Sequence, residues 1–181
     1  MSRIKTLSKV GGGVCAVSAI IAVLNTDFYG QFRTSQQGLE IIGDAEGCKR
    51  EPYLCPANVL TVGIGSTEAS SGKIERKVYT DKEIAERWLV DIQHAEKCVK
   101  RYANGGDIPQ SVFDVATSLT FNAGCGTVSK STFFRKIKSG DYVGACNELP
   151  KWVYSGGKKL RGLEIRREKE KALCLAGLIK S

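Results

Sequence analysis

The sequence predicts an α+β protein with a small antiparallel sheet near its N-terminal end and a mainly helical remainder. Two patterns support this prediction. Apolar residues alternate between Val59 and Ile64, as expected for a short strand, whereas Ile84, Trp88 and Ile92 recur at the spacing of a helix. About five helices are expected to follow the sheet.

The composition is that of one globular domain with a short appendage. Of the 181 residues, 42% are hydrophobic and 25% are charged, which argues against a disordered chain. The formal net charge of +8 implies an anionic partner such as a nucleic acid, a membrane surface or an acidic cell-wall polymer; the alternative is a basic surface with no specific partner. Seven cysteines beside one histidine argue against a metal site and for an oxidising compartment, so no cofactor is expected.

The N-terminus is typical of a segment that addresses a membrane. Basic residues within 1–9 precede an uncharged, apolar run at 10–24. A helix of that length spans about 22 Å, less than the roughly 30 Å hydrocarbon core, so the run is predicted to be a weak anchor. A cleavable signal peptide is the alternative, but its loose cleavage pattern at 17–19 falls inside the run. The basic end would stay in the cytoplasm, leaving everything from Asn25 onward outside.

Local signals predict the remaining elements in order. Residues 28–37 are interpreted as a polar linker, and Leu39 opens a helical apolar pattern. A capping box at 80–83 begins a helix that extends to about Ala103, and Pro109 begins the most apolar helix, which ends in a glycine-rich stretch. Further helices are predicted at 131–138, 142–149 and 160–178. The charges of the last helix are interpreted as a solvated face, with polymer binding as the alternative.

Glu46 is the candidate general acid. It leaves a predicted helix toward a turn and the small sheet, and the apolar residues Leu39, Ile42 and Val62 are expected to disfavour its charged form and keep a proton available for glycosidic cleavage. Asp44 is the second choice, but two residues earlier on a helix it is expected to point to the opposite side.

The spacing of Glu46, Cys55 and Thr61 is more specific than any one of these residues. In the pattern Glu-Gly-x7-Cys-Pro-x4-Thr-x-Gly-x-Gly the sequence resembles the phage lysozyme (muramidase) family, glycoside hydrolase family 24, whose catalytic Glu, Asp and Thr share this spacing. The similarity covers roughly residues 36–178. Further matches are Phe121-Asn122-x-Gly124 and Gly162-Leu163-x-x-Arg166-Arg167-x-x-Glu170.

This resemblance implies a lysozyme-like fold for residues 38–181 and hydrolysis of the β-1,4 bond between N-acetylmuramic acid and N-acetylglucosamine in bacterial peptidoglycan. A monomer without a nucleic-acid partner is expected. Thr61 would hold the attacking water or the Cys55 side chain. By the same resemblance Phe121, Asn122 and Ser131 would line the sugar cleft, although core packing of Phe121 and helix capping by the other two are equally consistent with the sequence.

Cys55 occupies the family's aspartate position. A free thiolate can act as a nucleophile or base, whereas a thiol in a disulfide cannot. Cys48 is near enough along the chain to bridge to it and disable the site. A membrane-tethered wall-binding protein without catalysis is the alternative function, because the aspartate is missing.

The chain also resembles the signal-arrest-release endolysins, a subgroup of phage lysozymes with a weak N-terminal membrane segment. That similarity implies that residues 1–27 first hold the protein in the host inner membrane, facing the periplasm, with a Cys48–Cys55 bridge that keeps it inactive. On release into the periplasm, Cys15 would attack this bridge to give Cys15–Cys48 and a free Cys55. The same resemblance suggests structural bridges Cys98–Cys125 and Cys146–Cys174, one of three possible pairings.

Overall fold

A computed structural model describes residues 13–179 and has the predicted α+β architecture, with a small antiparallel sheet beside a helical body. The basic residues within 1–9 and the first three residues of the apolar run lie outside the described residues. The helices are α1 (Val17–Asp27), α2 (Gln36–Glu46), α3 (Glu68–Ser71), α4 (Asp81–Tyr102), α5 (Gln110–Ala123), α6 (Cys125–Val128), α7 (Thr132–Lys138), α8 (Tyr142–Cys146) and α9 (Arg161–Ile179). The strands are β1 (Lys49–Leu54), β2 (Leu60–Gly63), β3 (Ser66–Thr67), β4 (Tyr154–Ser155) and β5 (Lys158–Lys159).

Helix α1 contains residues 17–24 of the apolar run and packs against α2 and α4. It buries Ile20, Ile21 and Leu24, each worth on the order of 1.5–3 kcal/mol when removed from water. Within residues 13–179, no helix combines the length and the apolar character needed to cross a membrane. In this structure Ile20, Ile21 and Leu24 of α1 are covered by protein.

The segment interpreted as a linker is fixed to the helical body by hydrogen bonds. Thr34 is buried, and its N–H and hydroxyl donate to the Glu96 carboxylate at 2.6 and 2.8 Å. Ser35 donates from its N–H and hydroxyl to Asp114 at 2.8 and 2.6 Å, and its hydroxyl oxygen caps α2. Because Glu96 and Asp114 are buried carboxylates that need donors, Thr34 and Ser35 of this segment supply hydrogen bonds that fix it to α4 and α5.

The sheet has the order β1-β2-β3, with both pairs antiparallel. Only the strand around β2 was predicted, because β1 begins Lys-Arg-Glu-Pro and lacks an apolar alternation. The chain just before α1 adds to β1: the Cys15 N–H donates to the Cys48 carbonyl at 3.2 Å, and the Arg50 N–H donates to the Gly13 carbonyl at 3.0 Å. The N-terminal segment and the sheet are thus continuous in backbone hydrogen bonding.

The long helix and the core helix confirm their sequence signals. Thr80 and Glu83 form the reciprocal capping box at the start of α4, and α5 is buried along almost its whole length, with Pro109 at its N-cap. Three disulfides are present, Cys15–Cys48, Cys98–Cys125 and Cys146–Cys174, and Cys55 is a free thiol. These are the pairs that the resemblance implies for a released protein.

The last helix departs from its predicted solvated face. Arg166, Arg167 and Glu170 are buried, with the side chain of Glu170 completely inaccessible. The prediction is wrong for these three residues because each guanidinium lies beside a carboxylate, which lets the charges leave water together. Arg161, Glu168 and Lys169 of α9 are exposed as expected.

Gly43 is predicted to set how closely α1 can lie on α2. A methyl group at this position would overlap the Val17 side chain and would lie 3.3 Å from the Trp88 ring. We expect Gly43→Ala to lower the free energy of unfolding by about 1–2 kcal/mol, because the overlap costs more than the helix propensity that alanine adds. Thermal unfolding, together with hydrogen exchange of the α1 amides, measures this effect.

Gly162→Ala is the matched control, since a methyl group there meets nothing within 4 Å. Its stability should be unchanged or slightly raised. If Gly43→Ala is as stable as Gly162→Ala, close packing of α1 at Gly43 does not limit stability.

Candidate active site

Glu46 lies at the junction of a helix end and the sheet. It is the last residue of α2. The next residue, Gly47, caps the helix with a φ of +70°, which glycine adopts without strain. The carboxylate lines a cleft of about 450 Å³ between the end of α2 and the first turns of α9. Asp44, expected to point to the other side of the helix, lines the same cleft. Two carboxylates therefore face this space.

A guanidinium contacts the Glu46 carboxylate. Arg166 Nη1 donates to Glu46 Oε1 at 2.8 Å, and the Arg166 side chain is only 4% exposed. The apolar residues Leu39, Ile42 and Val62 are buried in the core. The sequence predicts apolar surroundings for the carboxylate, whereas the structure shows an ion pair with Arg166 on the side that faces α9.

The turn between β2 and β3 approaches the other carboxylate oxygen. At Gly65, whose φ of +76° favours glycine, a Cβ would lie 3.4 Å from Glu46 Oε2, so the turn brings its backbone into van der Waals range of the acid. This explains the second glycine of the Gly-x-Gly pattern in physical terms. Glu46 is consequently held between α9 on one side and the sheet on the other.

A second cleft of about 320 Å³ begins at the Gly65 turn and runs between the sheet, α4 and the end of α5. Phe121 lines this cleft, whereas its neighbour Asn122 lines the first one and accepts a hydrogen bond from Arg167 Nη2 at 3.0 Å. Ser131 caps α7, accepting from the Phe134 N–H at 3.1 Å. Of the three residues expected to line a sugar cleft, the structure brings Phe121 and Asn122 to clefts beside Glu46.

Cys55 follows β1 in a tight turn. Its N–H donates to the Val59 carbonyl at 3.0 Å, and its own carbonyl accepts from the N–H of Asn58, a residue with φ +59°. The backbone N–H groups of Val59 and then Ala57 stabilise the thiolate and lower the pKa of Cys55, with a smaller contribution from the Thr61 hydroxyl. Thr61 also donates to the Val59 carbonyl at 2.9 Å, so it braces the turn that holds the thiol.

Tyr53 is a site residue that sequence reasoning missed. Burial raises the pKa of its hydroxyl, and the negative charges of Glu46 and Cys55 raise it further, so the phenol lies within electrostatic range of both. Tyr53 pairs with Thr61 across the β1–β2 ladder. A prediction of the β1 register would have found it, because cross-strand partners of a site residue lie beside that site.

The Cys15–Cys48 disulfide adjoins the site. Cys48 is two residues beyond Glu46 and immediately precedes β1. The disulfide joins Cys48 to Cys15, two residues before α1, with a Cα–Cα distance of 5.1 Å. Both cysteines are buried. The N-terminal segment is therefore covalently attached next to the catalytic candidate.

Comparisons with known proteins give a consistent assignment. Residues 43–170 match the phage lysozyme family. The SAR-endolysin of Escherichia phage P1 is 41% identical over 182 residues, covering 93% of this chain and 95% of that protein. The SAR-endolysin of Haemophilus phage HP1 is 34% identical over 178 residues, covering 90% of this chain and 94% of that protein.

Solved structures extend the similarity to the fold. The active form of P1 phage endolysin Lyz superimposes with a TM-score of 0.82 at 43% identity, over 93% of this chain and 98% of that one. The secreted inactive form of the same endolysin has a TM-score of 0.57 at 44% identity, over 80% of this chain and 97% of that one. With a lysozyme fold, a family match over more than half of its length and close relatives along nearly all of it, the chain belongs to the phage lysozyme family and is a glycoside hydrolase of the lysozyme type.

Proposed function

We propose that this chain is an endolysin that cleaves the β-1,4 bond between N-acetylmuramic acid and N-acetylglucosamine in bacterial peptidoglycan, with Glu46 as its general acid. The observation that carries the proposal is the position of Glu46 at the mouth of a cleft, with one carboxylate oxygen on Arg166 and the other beside the Gly65 turn. Relatives named SAR-endolysin, similar along nearly the whole chain, support the same activity. The net charge of +8 suits an anionic wall polymer.

In the proposed mechanism, Glu46 donates a proton to the glycosidic oxygen as the bond to the anomeric carbon breaks, which leaves positive charge on the sugar ring. The Cys55 thiolate takes the part of the family's aspartate and acts on the anomeric side as a nucleophile or as the base for water. Its lowered pKa supports this role, because the anion is present at lower pH than in an ordinary thiol. Thr61, whose hydroxyl adjoins the thiol, orients the attacking group.

The locked state of the proposed cycle is incompatible with β1 as the structure has it. Cys48 and Cys55 flank this six-residue strand, whose ends Lys49 and Leu54 pair with Gly63 and Leu60 of β2 across an irregularity in register. The pairing holds the two ends about 10 Å apart, and each cysteine lies one residue further out. A disulfide needs Cα atoms within about 7 Å. A Cys48–Cys55 bridge therefore requires β1 to leave the sheet, which separates Tyr53 from Thr61 and dismantles the turn that holds Cys55.

The released state, by contrast, uses the contacts described above. With Cys48 bonded to Cys15, β1 pairs with β2, α1 is packed on α2 and α4, and Cys55 is free. The greater similarity to the active than to the inactive form of the P1 endolysin supports this assignment. We infer that residues 1–27 tether the protein to the inner membrane with 38–181 in the periplasm, and that release lets Cys15 take Cys48 from Cys55.

The first test concerns the acid. Glu46→Gln should reduce glycan cleavage by at least about 100-fold, because the amide has no proton to donate to the leaving oxygen. Turbidity clearing of permeabilised cells and new reducing ends in purified peptidoglycan measure the effect. Asp44→Asn is the matched control in the same cleft and should keep most of the activity. Undiminished cleavage by Glu46→Gln would sink the proposal, and a wild-type protein that binds peptidoglycan without cleaving it would favour the wall-binding alternative.

The second test uses the thiol as its own reporter. Alkylation by iodoacetamide requires the thiolate, so its rate should rise with pH around a midpoint below the ordinary thiol value of about 8.5 and should fall only when the pH drops through the lowered pKa of Cys55. Alkylation should abolish activity in parallel. In the urea-unfolded, unreduced protein the midpoint should return to the ordinary value.

Cys55→Asp is the matched variant for this test. It restores the family's residue, so it should stay active and become insensitive to iodoacetamide. Full activity of the alkylated wild type would contradict a catalytic role for the thiol.

The third test concerns the switch. Cys48→Ser should be active even while tethered, because Cys55 then has no bridging partner. Cys15→Ser should remain inactive after release and regain activity when a reductant opens Cys48–Cys55. Disulfide mapping of membrane and soluble fractions measures both. A tethered Cys48→Ser protein that stays silent, or a released Cys15→Ser protein that is active without reductant, would rule out the exchange.

A further inference from the structure

A buried group of charges lies behind the Glu46–Arg166 pair, between α5 and α9. The side chains of Arg166, Arg167 and Glu170 are 4%, 1% and 0% exposed, and Ser118 of α5 is buried against them. With Glu46 the group contains two guanidiniums and two carboxylates. Burial on this scale is stable only when every charge is paired, so each contact here has a direct structural consequence.

Arg166 is held by contacts on three sides. Its Nη1 donates to Glu46 at 2.8 Å, its Nε donates to Glu170 Oε1 at 3.2 Å, and its Nη2 donates to both the carbonyl and the hydroxyl oxygen of Ser118 at 3.2 Å. Because a guanidinium is rigid and planar, fixing Nε and Nη2 fixes the direction of Nη1. The position of the hydrogen bond to Glu46 is thus set by Glu170 and Ser118.

The Ser118 hydroxyl links Glu170 to Arg166. It donates to Glu170 Oε1 at 2.6 Å while it accepts from Arg166. Glu170 Oε2 lies 3.1 Å from Arg167 Nε, and Arg167 in turn donates to Asn122 beside the cleft. Glu170 is therefore shared by both guanidiniums and leaves Arg166 with an open donor for Glu46.

We propose that Glu170 and Ser118 are positioning residues for catalysis: they orient Arg166, and through it the Glu46 carboxyl, for proton donation. The proposal rests on the function proposed for Glu46. It assigns a catalytic consequence to Glu170 and Ser118, which line neither cleft. It predicts that perturbing either residue changes kcat more than KM, since the glycan contacts are left in place.

The test compares two buried serines of α5. Ser118→Ala removes the hydroxyl that joins Glu170 to Arg166, whereas Ser111→Ala removes a comparable hydroxyl that donates to the Cys174 carbonyl at 3.2 Å, remote from Glu46. Both variants should lower Tm to a similar extent. Only Ser118→Ala should lower kcat, by about tenfold at unchanged KM. Equal kcat for the two variants would overturn the proposal.

An independent comparison uses two buried carboxylates. Glu170→Gln removes one charge from the group, and Glu96→Gln does the same at the distant contact with Thr34. The first should lower kcat by 10- to 100-fold and the second should leave the kcat of the folded protein unchanged. Equal losses of kcat would reduce Glu170 to an ordinary structural residue.

A double variant separates positioning from general loosening. If Ser118 acts through Arg166, adding Ser118→Ala to Arg166→Met should leave kcat where Arg166→Met alone has put it, whereas additive losses would contradict the proposal. Failure of the underlying function is distinguishable, because Glu46→Gln would then be active. Failure of this inference alone leaves Glu46→Gln inactive and Ser118→Ala fully active.

Discussion

The ion pair between Glu46 and Arg166 is the interaction on which the site depends. It joins the end of the second helix to the last helix across 120 residues of sequence, and its arginine is fixed in turn by the most buried helix. The sheet contributes the opposite wall through the turn at Gly65, whose φ of +76° is one that glycine adopts without strain. Glu46 therefore lies where the end of α2, helix α9 and the sheet meet. Movement of any one of these three elements would displace its carboxylate.

The N-terminal segment belongs to the same construction. Its disulfide to Cys48 is two residues from the acid, its backbone extends the sheet at β1, and its helix packs on α2 and α4. In the proposed cycle the segment is thus a component of the active fold as well as a tether. In this structure the free thiol at position 55, the pairing of β1 with β2 and the packing of α1 occur together.

Much of this arrangement could be predicted from the sequence, and the failures have identifiable physical causes. Capping residues and glycine-rich stops located α4 and α5 closely, since these signals are local. Strand β1 was missed because its charged residues and Pro52 hide the alternation, and Tyr53 was missed with it. The burial of Arg166, Arg167 and Glu170 could not be predicted, because a run of alternating charges looks the same on a solvated face as in a paired, buried group. For Glu46, the partner Arg166 lies 120 residues further along the chain and could not be inferred from local sequence, whereas the surroundings of Cys55 and Thr61 are local to the β1–β2 turn.

Gly43 carries a consequence for how the N-terminal segment can vary. In the proposed cycle the same short helix must be apolar enough to enter a bilayer, and its side chain at Val17 must be small enough to pack on Gly43 of α2. Bulkier side chains in this helix would strengthen its binding to lipid but would not fit against Gly43. Smaller ones would weaken both the membrane anchor and the packing on α2. The same side chains of α1 would thus set both the weakness of the membrane anchor and the fit of the docked helix. The timing of lysis would then depend partly on the shape of the α2 surface, which the segment contacts only after it leaves the membrane.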